Sequence, residues 1–166
     1  MKESQLTELI DGALEVAGEA SNKVLEIYHS EEHKIENKKD GSPVTKADLA
    51  SHQIITRGLA KLRHKIPILS EEGDVQNASN EDLFWLIDPL DGTKEFINRN
   101  GEFTVNIALI KDSSPILGIV FSPAVEENFF GAKNLGAFKI KGAERISIFP
   151  SQQTESECRI TLSKSH

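Results

Sequence analysis

Leu83-Phe84-Trp85-Leu86-Ile87-Asp88-Pro89-Leu90-Asp91-Gly92-Thr93 is the stretch on which the reading of this chain turns. Five apolar residues in a row, two of them aromatic, read as a buried strand. Two carboxylates three residues apart leave that strand together, and a glycine and a hydroxyl come directly after. The residues before the strand have helical spacing, and those after it have period two. The chain is therefore expected to be α+β.

Toward the N-terminus, Leu6, Leu9, Ile10, Ala13, Val16, Ala17, Ala20, Val24, Ile27 and Tyr28 recur at helical spacing. They predict one long amphipathic helix, with Ser4 as candidate cap. Residues 31–41 are charged and irregular and are expected to form a loop in which Lys38 and Lys39 are solvated. Ser42-Pro43 announces a second helix. Thr45 is its candidate cap, Asp48 sits three residues later, and Ala50, Ile54, Ile55, Leu59 and Leu62 form its inner face. Pro67-Ile68-Leu69-Ser70 reads as a short strand ending in Glu71-Glu72-Gly73, and 74–82 as a polar loop. After Gly92-Thr93 come a helical turn over 94–97 and a plain turn at Arg99-Asn100-Gly101.

From Phe103 onward the pattern is a succession of strands: 103–107, 116–121, 128–132 and 137–140, with weaker ones at 146–149 and 159–162. Asp112-Ser113-Ser114-Pro115 and Asn134-Leu135-Gly136 separate them as turns. Two long N-terminal helices packed on one face of an antiparallel sheet is the natural α+β arrangement.

The chain has 166 residues, 38% hydrophobic and 27% charged, enough for a real core. A net charge of -7 argues against a nucleic-acid-binding surface. It leaves room for a small anionic substrate, because a bound divalent metal reverses the local sign. One cysteine, Cys158, rules out an internal disulfide and fits a reducing compartment. The start, Met1-Lys2-Glu3-Ser4-Gln5, has no signal-peptide core, and no run is long enough to be a transmembrane segment. The expected location is cytoplasmic, with peripheral attachment at the inner membrane face as the alternative.

The carboxylates suit a hard cation. Mg²⁺ takes oxygen ligands in an octahedral shell and keeps several waters. Glu71, Asp88 and Asp91 offer three carboxylates, and Leu90 a backbone carbonyl between two of them. Two ions about 4 Å apart can share such ligands and clamp a phosphate. Gly92 lets the backbone approach an anion. Thr93 opens a short helix with free N–H groups, and its hydroxyl can orient a water. Each residue also has a plain explanation. Asp88-Pro89 and Asp91-Gly92 are common turn dipeptides, and on spacing alone that reading is the stronger. Glu71-Glu72 fits a solvated loop. Asp48 fits a capping box with Thr45 as well as a carboxylate that deprotonates water. The five histidines have no metal-ligand spacing.

Three segments in order change that balance: Ser42-Pro43-Val44-Thr45-Lys46-Ala47-Asp48, Leu69-Ser70-Glu71-Glu72, and Trp85-Leu86-Ile87-Asp88-Pro89-Leu90-Asp91-Gly92-Thr93-Lys94-Glu95-Phe96. Together they resemble the inositol monophosphatase superfamily. The continuation Asn98-Arg99-Asn100-Gly101-Glu102-Phe103-Thr104-Val105-Asn106-Ile107-Ala108-Leu109-Ile110 is similar to its CysQ-type branch, the 3′(2′),5′-bisphosphate nucleotidases. The resemblance covers essentially the whole chain. It implies a Mg²⁺-dependent, lithium-sensitive phosphatase that removes the 3′-phosphate of 3′-phosphoadenosine 5′-phosphate, giving AMP and phosphate in sulfate assimilation. It implies two or more Mg²⁺ ions held by Glu71, Asp88, Asp91 and the Leu90 carbonyl. Glu71 and the run Leu90, Asp91, Gly92 and Thr93 would contact the phosphate, and Asp48 and Thr93 would activate the water. Its partner is a small bisphosphate nucleotide, and relatives are often homodimeric.

The family's chain is much longer. Its second half is an α/β lobe with a Trp-Asp-x-Ala-Ala-Gly-type motif, whose aspartate completes the metal site, and most of the nucleoside pocket. The single tryptophan here is Trp85, and that motif is absent. The expected division is 1–150 as the first lobe, with most of the metal site, and 151–166 as the start of a truncated second lobe. Such a piece is expected to expose an apolar lobe interface and to be nearly inactive alone. Two alternatives stand beside this reading: an inositol monophosphatase or other sugar phosphatase, and a non-catalytic binding or assembly module.

Overall fold

A computed structural model describes residues 3–30, 35–37, 43–73 and 82–150. The expected loop 74–82, apart from its last residue, the strand expected at 159–162, the whole of 151–166, and Lys38, Lys39 and Cys158 lie outside the described residues.

The long helix α1 runs Glu3–His29. Leu6, Leu9, Ile10, Ala13, Val16, Ala17, Ala20, Val24 and Tyr28 are its buried stripe, as their spacing requires. Ser4 falls inside this helix rather than at its cap. Ser30 closes the far end by donating its hydroxyl to the Ile27 carbonyl at 2.8 Å.

Strand β1 (Ile35–Asn37) pairs antiparallel with β2 (Pro43–Thr45). Residues 31–41 are thus not all loop. Three of them form an edge ribbon that charge-rich composition concealed. Helix α2 spans Lys46–Lys61, capped by Thr45, whose Oγ1 accepts the Ala47 N–H at 3.1 Å. Its buried stripe is Ala47, Ser51, Ile55 and Leu59, at strict four-residue spacing. Ile54 and Leu62 pack against the core from the side, while Ala50 is only half-buried.

Among the described residues the sheet has seven strands in chain order: β3 (Ile68–Ser70), β4 (Leu83–Asp91), β5 (Thr104–Lys111), β6 (Ser114–Ser122), β7 (Glu127–Ala132), β8 (Gly136–Lys141) and β9 (Glu144–Ile148). From β4 onward it is the expected antiparallel meander. The departure is β3, which lies parallel to β4 with Ile68, Leu69 and Ser70 opposite Trp85, Leu86 and Ile87. Strict alternation sends Trp85, Ile87, Val105, Ile107, Leu109, Leu117 and Ile119 to one face, under α1 and α2. Leu86 and Val120, on the opposite face, are 43% and 41% exposed. Among the described residues no helix is long and apolar enough to cross a membrane.

A short helix, α3 (Thr93–Ile97), comes directly after β4. It is tied to the end of α1 by aromatic packing. Tyr28, Phe96 and Phe103 have ring centroids 4.8–5.2 Å apart. Arg99 sits in the turn expected there, with φ of 59°, but does more than turn the chain. Its guanidinium lies 4.9 Å over the Tyr28 ring and donates to the Ser30 carbonyl at 3.1 Å.

The helices cross where Gly58 faces Val16. A Cβ on Gly58 would stand 2.5 Å from Val16 Cγ2. Valine has few rotamers in a helix, so the backbones must separate to admit a methyl group. Gly58→Ala is expected to destabilise the fold by on the order of 1–3 kcal/mol, despite the better helix propensity of alanine. A thermal melt of the variant at or above the wild-type midpoint would contradict this packing.

Candidate metal and phosphate site

Asp88 and Asp91 lie within β4, so the turn reading of Asp88-Pro89 and Asp91-Gly92 does not hold. In a regular strand, residues three apart face opposite sides of the sheet. Here Asp88 pairs with Asn106 and Asp91 with Thr104, so β4 carries one residue more than its partner across this span. That surplus is a β-bulge. It returns Asp91 to the side of Asp88, and Asn106, opposite Asp88, donates its Nδ2–H to Asp91 Oδ2 at 3.3 Å. Pro89 stands inside the bulge, where a missing ladder donor costs least. Its carbonyl accepts the buried Ser51 hydroxyl of α2 at 2.7 Å.

Glu71 comes immediately after β3. Its N–H donates to the Ile87 carbonyl at 3.2 Å, which places it next to Asp88. The two carboxyl groups share a hydrogen bond. Burial, then the charges of Glu71 and Asp91, push the Asp88 carboxyl up to about 7, against the lowering effect of a 3.2 Å bond from the Leu90 N–H.

Asp48 is almost wholly buried, at 1% exposure. Its Oδ2 accepts from the Thr45 N–H at 2.7 Å and the Thr45 hydroxyl at 2.6 Å. Its Oδ1 accepts from the Thr93 hydroxyl at 3.1 Å. Asp48 therefore completes the capping box and also reaches Thr93, 45 residues away. Thr93 Oγ1 lies 3.3 Å from the Leu90 carbonyl as well. Gly92 joins β4 to α3 with φ of +88°, and a Cβ there would meet the Glu102 carbonyl at 2.9 Å. No other residue fits that position.

Two groups thus form within one region: Asp48 with Thr93 and Leu90, and Glu71 with Asp88. Asp91 is exposed beside them, held by Asn106. Sequence reasoning passed over Ser51 and Asn106. Ser51 left a trace, as a hydroxyl on the buried stripe 47-51-55-59 that needs a partner. Asn106 left none, since a polar residue on alternate positions of a half-buried strand is unremarkable. Alongside Glu71 and Asp88, a largely apolar groove of about 550 Å³ runs over the open sheet face, floored by Leu86, Ala108, Gly118 and Val120.

The inositol monophosphatase family model matches residues 5–166, nearly the entire sequence. The chain belongs to the inositol monophosphatase family. It is 41% identical over 128 residues to the 3′(2′),5′-bisphosphate nucleotidase CysQ of Salmonella typhimurium, covering 75% of this chain and 52% of that protein. It is 42% identical to the Escherichia coli K12 protein of the same name, with the same coverage. In three dimensions it is similar to CysQ from Bacteroides thetaiotaomicron, with a TM-score of 0.68 and 39% identity over 86% of this chain and 51% of that one. The suppressor protein suhB from Bartonella henselae superposes with a TM-score of 0.74 at 25% identity, over 87% and 54%. The chain spans about half the length of the curated relatives it matches.

The metal implied by this family suits the residues present. Among the described residues no three His, Cys, Asp or Glu side chains already stand as a metal-holding group. Mg²⁺ does not need one, since it is bound through one or two carboxylates plus waters and phosphate oxygens. Burial and the neighbouring charges of Glu71 and Asp91 raise the Asp88 carboxyl, a crowding that a cation would relieve. Asn106 Oδ1 is a buried acceptor with no donor among the described residues. It stands opposite Asp88, where a metal-bound water would supply the missing donor.

Asp88 sets the sign of the pH effect. Its folded value, about 7, lies above its ordinary 3.8, so the native chain keeps a proton that the unfolded chain releases. Without metal, stability is expected to fall as pH rises from about 4 to about 7. Asp88→Asn removes that slope and raises Tm at pH 8. Allowing for solvent screening of this half-exposed group, the gain is on the order of 1 kcal/mol, or roughly 2–4 °C. Melts of both proteins in chelator at pH 5 and pH 8 check it, and a lower Tm for the variant at pH 8 would refute the crowding.

Proposed function

We propose that this chain carries the metal-and-phosphate half of a Mg²⁺-dependent phosphatase, acting on the 3′-phosphate of 3′-phosphoadenosine 5′-phosphate and yielding AMP and phosphate, as in sulfate assimilation. The observation that carries the proposal is the gathering of carboxyl groups about the end of β4: Asp48 bonded to the Thr93 hydroxyl, and Asp88 crowded against Glu71. The named nucleotidases at 41% and 42% identity support the choice of substrate.

In this reading Glu71, Asp88, Asp91 and the Leu90 carbonyl hold the metal. Bound there, Mg²⁺ neutralises phosphate charge and makes a coordinated water more acidic. The chain's own residues do the rest. Thr93 directs its proton to Asp48 Oδ1, which leaves its oxygen lone pairs facing a water. A proton passes from that water to Thr93 while Thr93 passes its own to Asp48. Thr45 holds Asp48 by two bonds to the other oxygen, so the carboxyl group is fixed in direction with Oδ1 toward Thr93. Gly92 and the first N–H groups of α3, which have no acceptor within the helix, face the phosphate.

Residues 1–150 then form the first lobe, and a further aspartate and the nucleoside pocket belong to the part of the relatives' length that this chain does not cover. The groove over the open sheet face is the apolar surface that such an arrangement covers. A cytoplasmic location and a homodimer belong to the same proposal.

Phosphate release in Mg²⁺ tests it. A full-length protein is expected to prefer 3′-phosphoadenosine 5′-phosphate to inositol monophosphate. Asp48→Asn and Thr93→Ala are each expected to lower kcat on the order of 10²–10⁴-fold. The 166 residues alone are expected to turn over far more slowly, through loss of substrate positioning. A preference for inositol monophosphate would replace the substrate, and calorimetry showing no Mg²⁺ or Mn²⁺ binding would leave a non-catalytic module.

A further inference from the structure

Glu71 enters the site from the turn 70–73, and that turn is held from behind by helix α2. His52 lies one helical turn beyond Asp48. Its Nδ1 is 2.8 Å from the Oγ of Ser70, a residue only 5% exposed. The same oxygen accepts the Glu72 N–H at 3.3 Å, and the Ser70 carbonyl accepts the Gly73 N–H at 3.1 Å. The imidazole also packs on the far side of the turn, with His52 Cε1 3.4 Å from where a Cβ on Gly73 would stand. Glu71, between these anchors, has its own N–H fixed to the Ile87 carbonyl at 3.2 Å. The turn around it is thus tied to both α2 and β4, while its side chain faces Asp88.

We propose that His52 and Ser70 are a positioning pair for Glu71: their bond fixes the turn 70–73 and so sets the Glu71 carboxyl where it can share a cation with Asp88. The inference rests on the reading of Glu71 as a metal ligand. The Ser70 oxygen already takes the Glu72 N–H, so a hydroxyl proton aimed at Nδ1 satisfies all three groups. That arrangement needs a neutral imidazole protonated on Nε2. Burial holds His52 below its ordinary value, outweighing the Glu72 charge, which agrees with that state. Neither residue reaches the reacting atoms. They act through the backbone, as partners of the outer shell do around metal ligands.

The test is Mn²⁺ binding to the 166-residue chain by calorimetry, alongside metal-free melts and amide hydrogen exchange. His52→Ala and Ser70→Ala are each expected to weaken Mn²⁺ roughly 10–100-fold. The double variant should lose little more than either single one, because both break the same bond. His52→Asn places an acceptor near the position of Nδ1 and should recover most of the affinity. His52→Gln, which reaches toward Nε2, should not. Exchange at the Glu72 and Gly73 amides should quicken in both alanine variants, with the amides of β5 unchanged. Wild-type affinity in both alanine variants would overturn the proposal, as would fully additive losses or a His52→Asn variant no better than His52→Ala. A wild-type chain that binds no Mn²⁺ fails at an earlier point: it removes the metal reading itself, and the pair's role with it.

Discussion

One surplus residue in β4 is the constraint on which the site depends. Without the bulge between Asp88 and Asp91, strand alternation would send these carboxyl groups to opposite faces of the sheet. One would then point into the helices and the other into the open groove. The bulge is held rather than merely tolerated. Pro89 needs no ladder donor, and its carbonyl is bound by Ser51, a wholly buried hydroxyl on the neighbouring helix. A change at Ser51 would therefore be felt at the carboxylates without touching either of them.

Helix α2 acts as the template for the whole constellation. Within five residues it presents Asp48 to Thr93, Ser51 to Pro89 and His52 to Ser70. Those partners lie on α3, β4 and the end of β3. One rigid element therefore sets the relative positions of three chain segments that carry carboxyl, carbonyl and hydroxyl groups. Its own register is secured by Thr45 at one end and by the tight crossing at Gly58 near the other. The arrangement stores strain of an electrostatic kind, since Glu71 and Asp91 crowd their charges onto Asp88 until a cation or a proton intervenes.

Much of this was legible from residue order. The helical stripe of α1, the Thr45 cap, the strand at Leu83 and the meander after Phe103 are local patterns, each set by period and turn chemistry within a few residues. Asp48 was legible in both its roles, although only the structure joins it to Thr93. What escaped was non-local. Residues Ile35–Asn37 are a strand only because Pro43–Thr45 is there to pair with, and their charged surroundings give no periodic signal. The parallel pairing of β3 and the extension of β4 through Pro89 also depend on a partner strand. Turn dipeptides inside a strand read as turns until a bulge explains them. Asn106 and His52 carry no signature of their own, since each matters only through the residue it touches.

The parallel pairing of β3 has a kinetic side. From β5 to β9 each strand lies against its sequence neighbour, and short loops close such hairpins quickly. The contacts that assemble the carboxyl cluster span longer stretches: 18 residues from His52 to Ser70, 38 from Ser51 to Pro89 and 45 from Asp48 to Thr93. The parallel pair β3–β4 also waits for the connection 71–82 to close, a longer span than any loop between β5 and β9. The meander is thus the part suited to forming early, and the cluster the part completed late. A ligand that recognises only the completed cluster would leave the rate of folding almost untouched. It would act as a brake on unfolding, so its protection would show as a longer native lifetime.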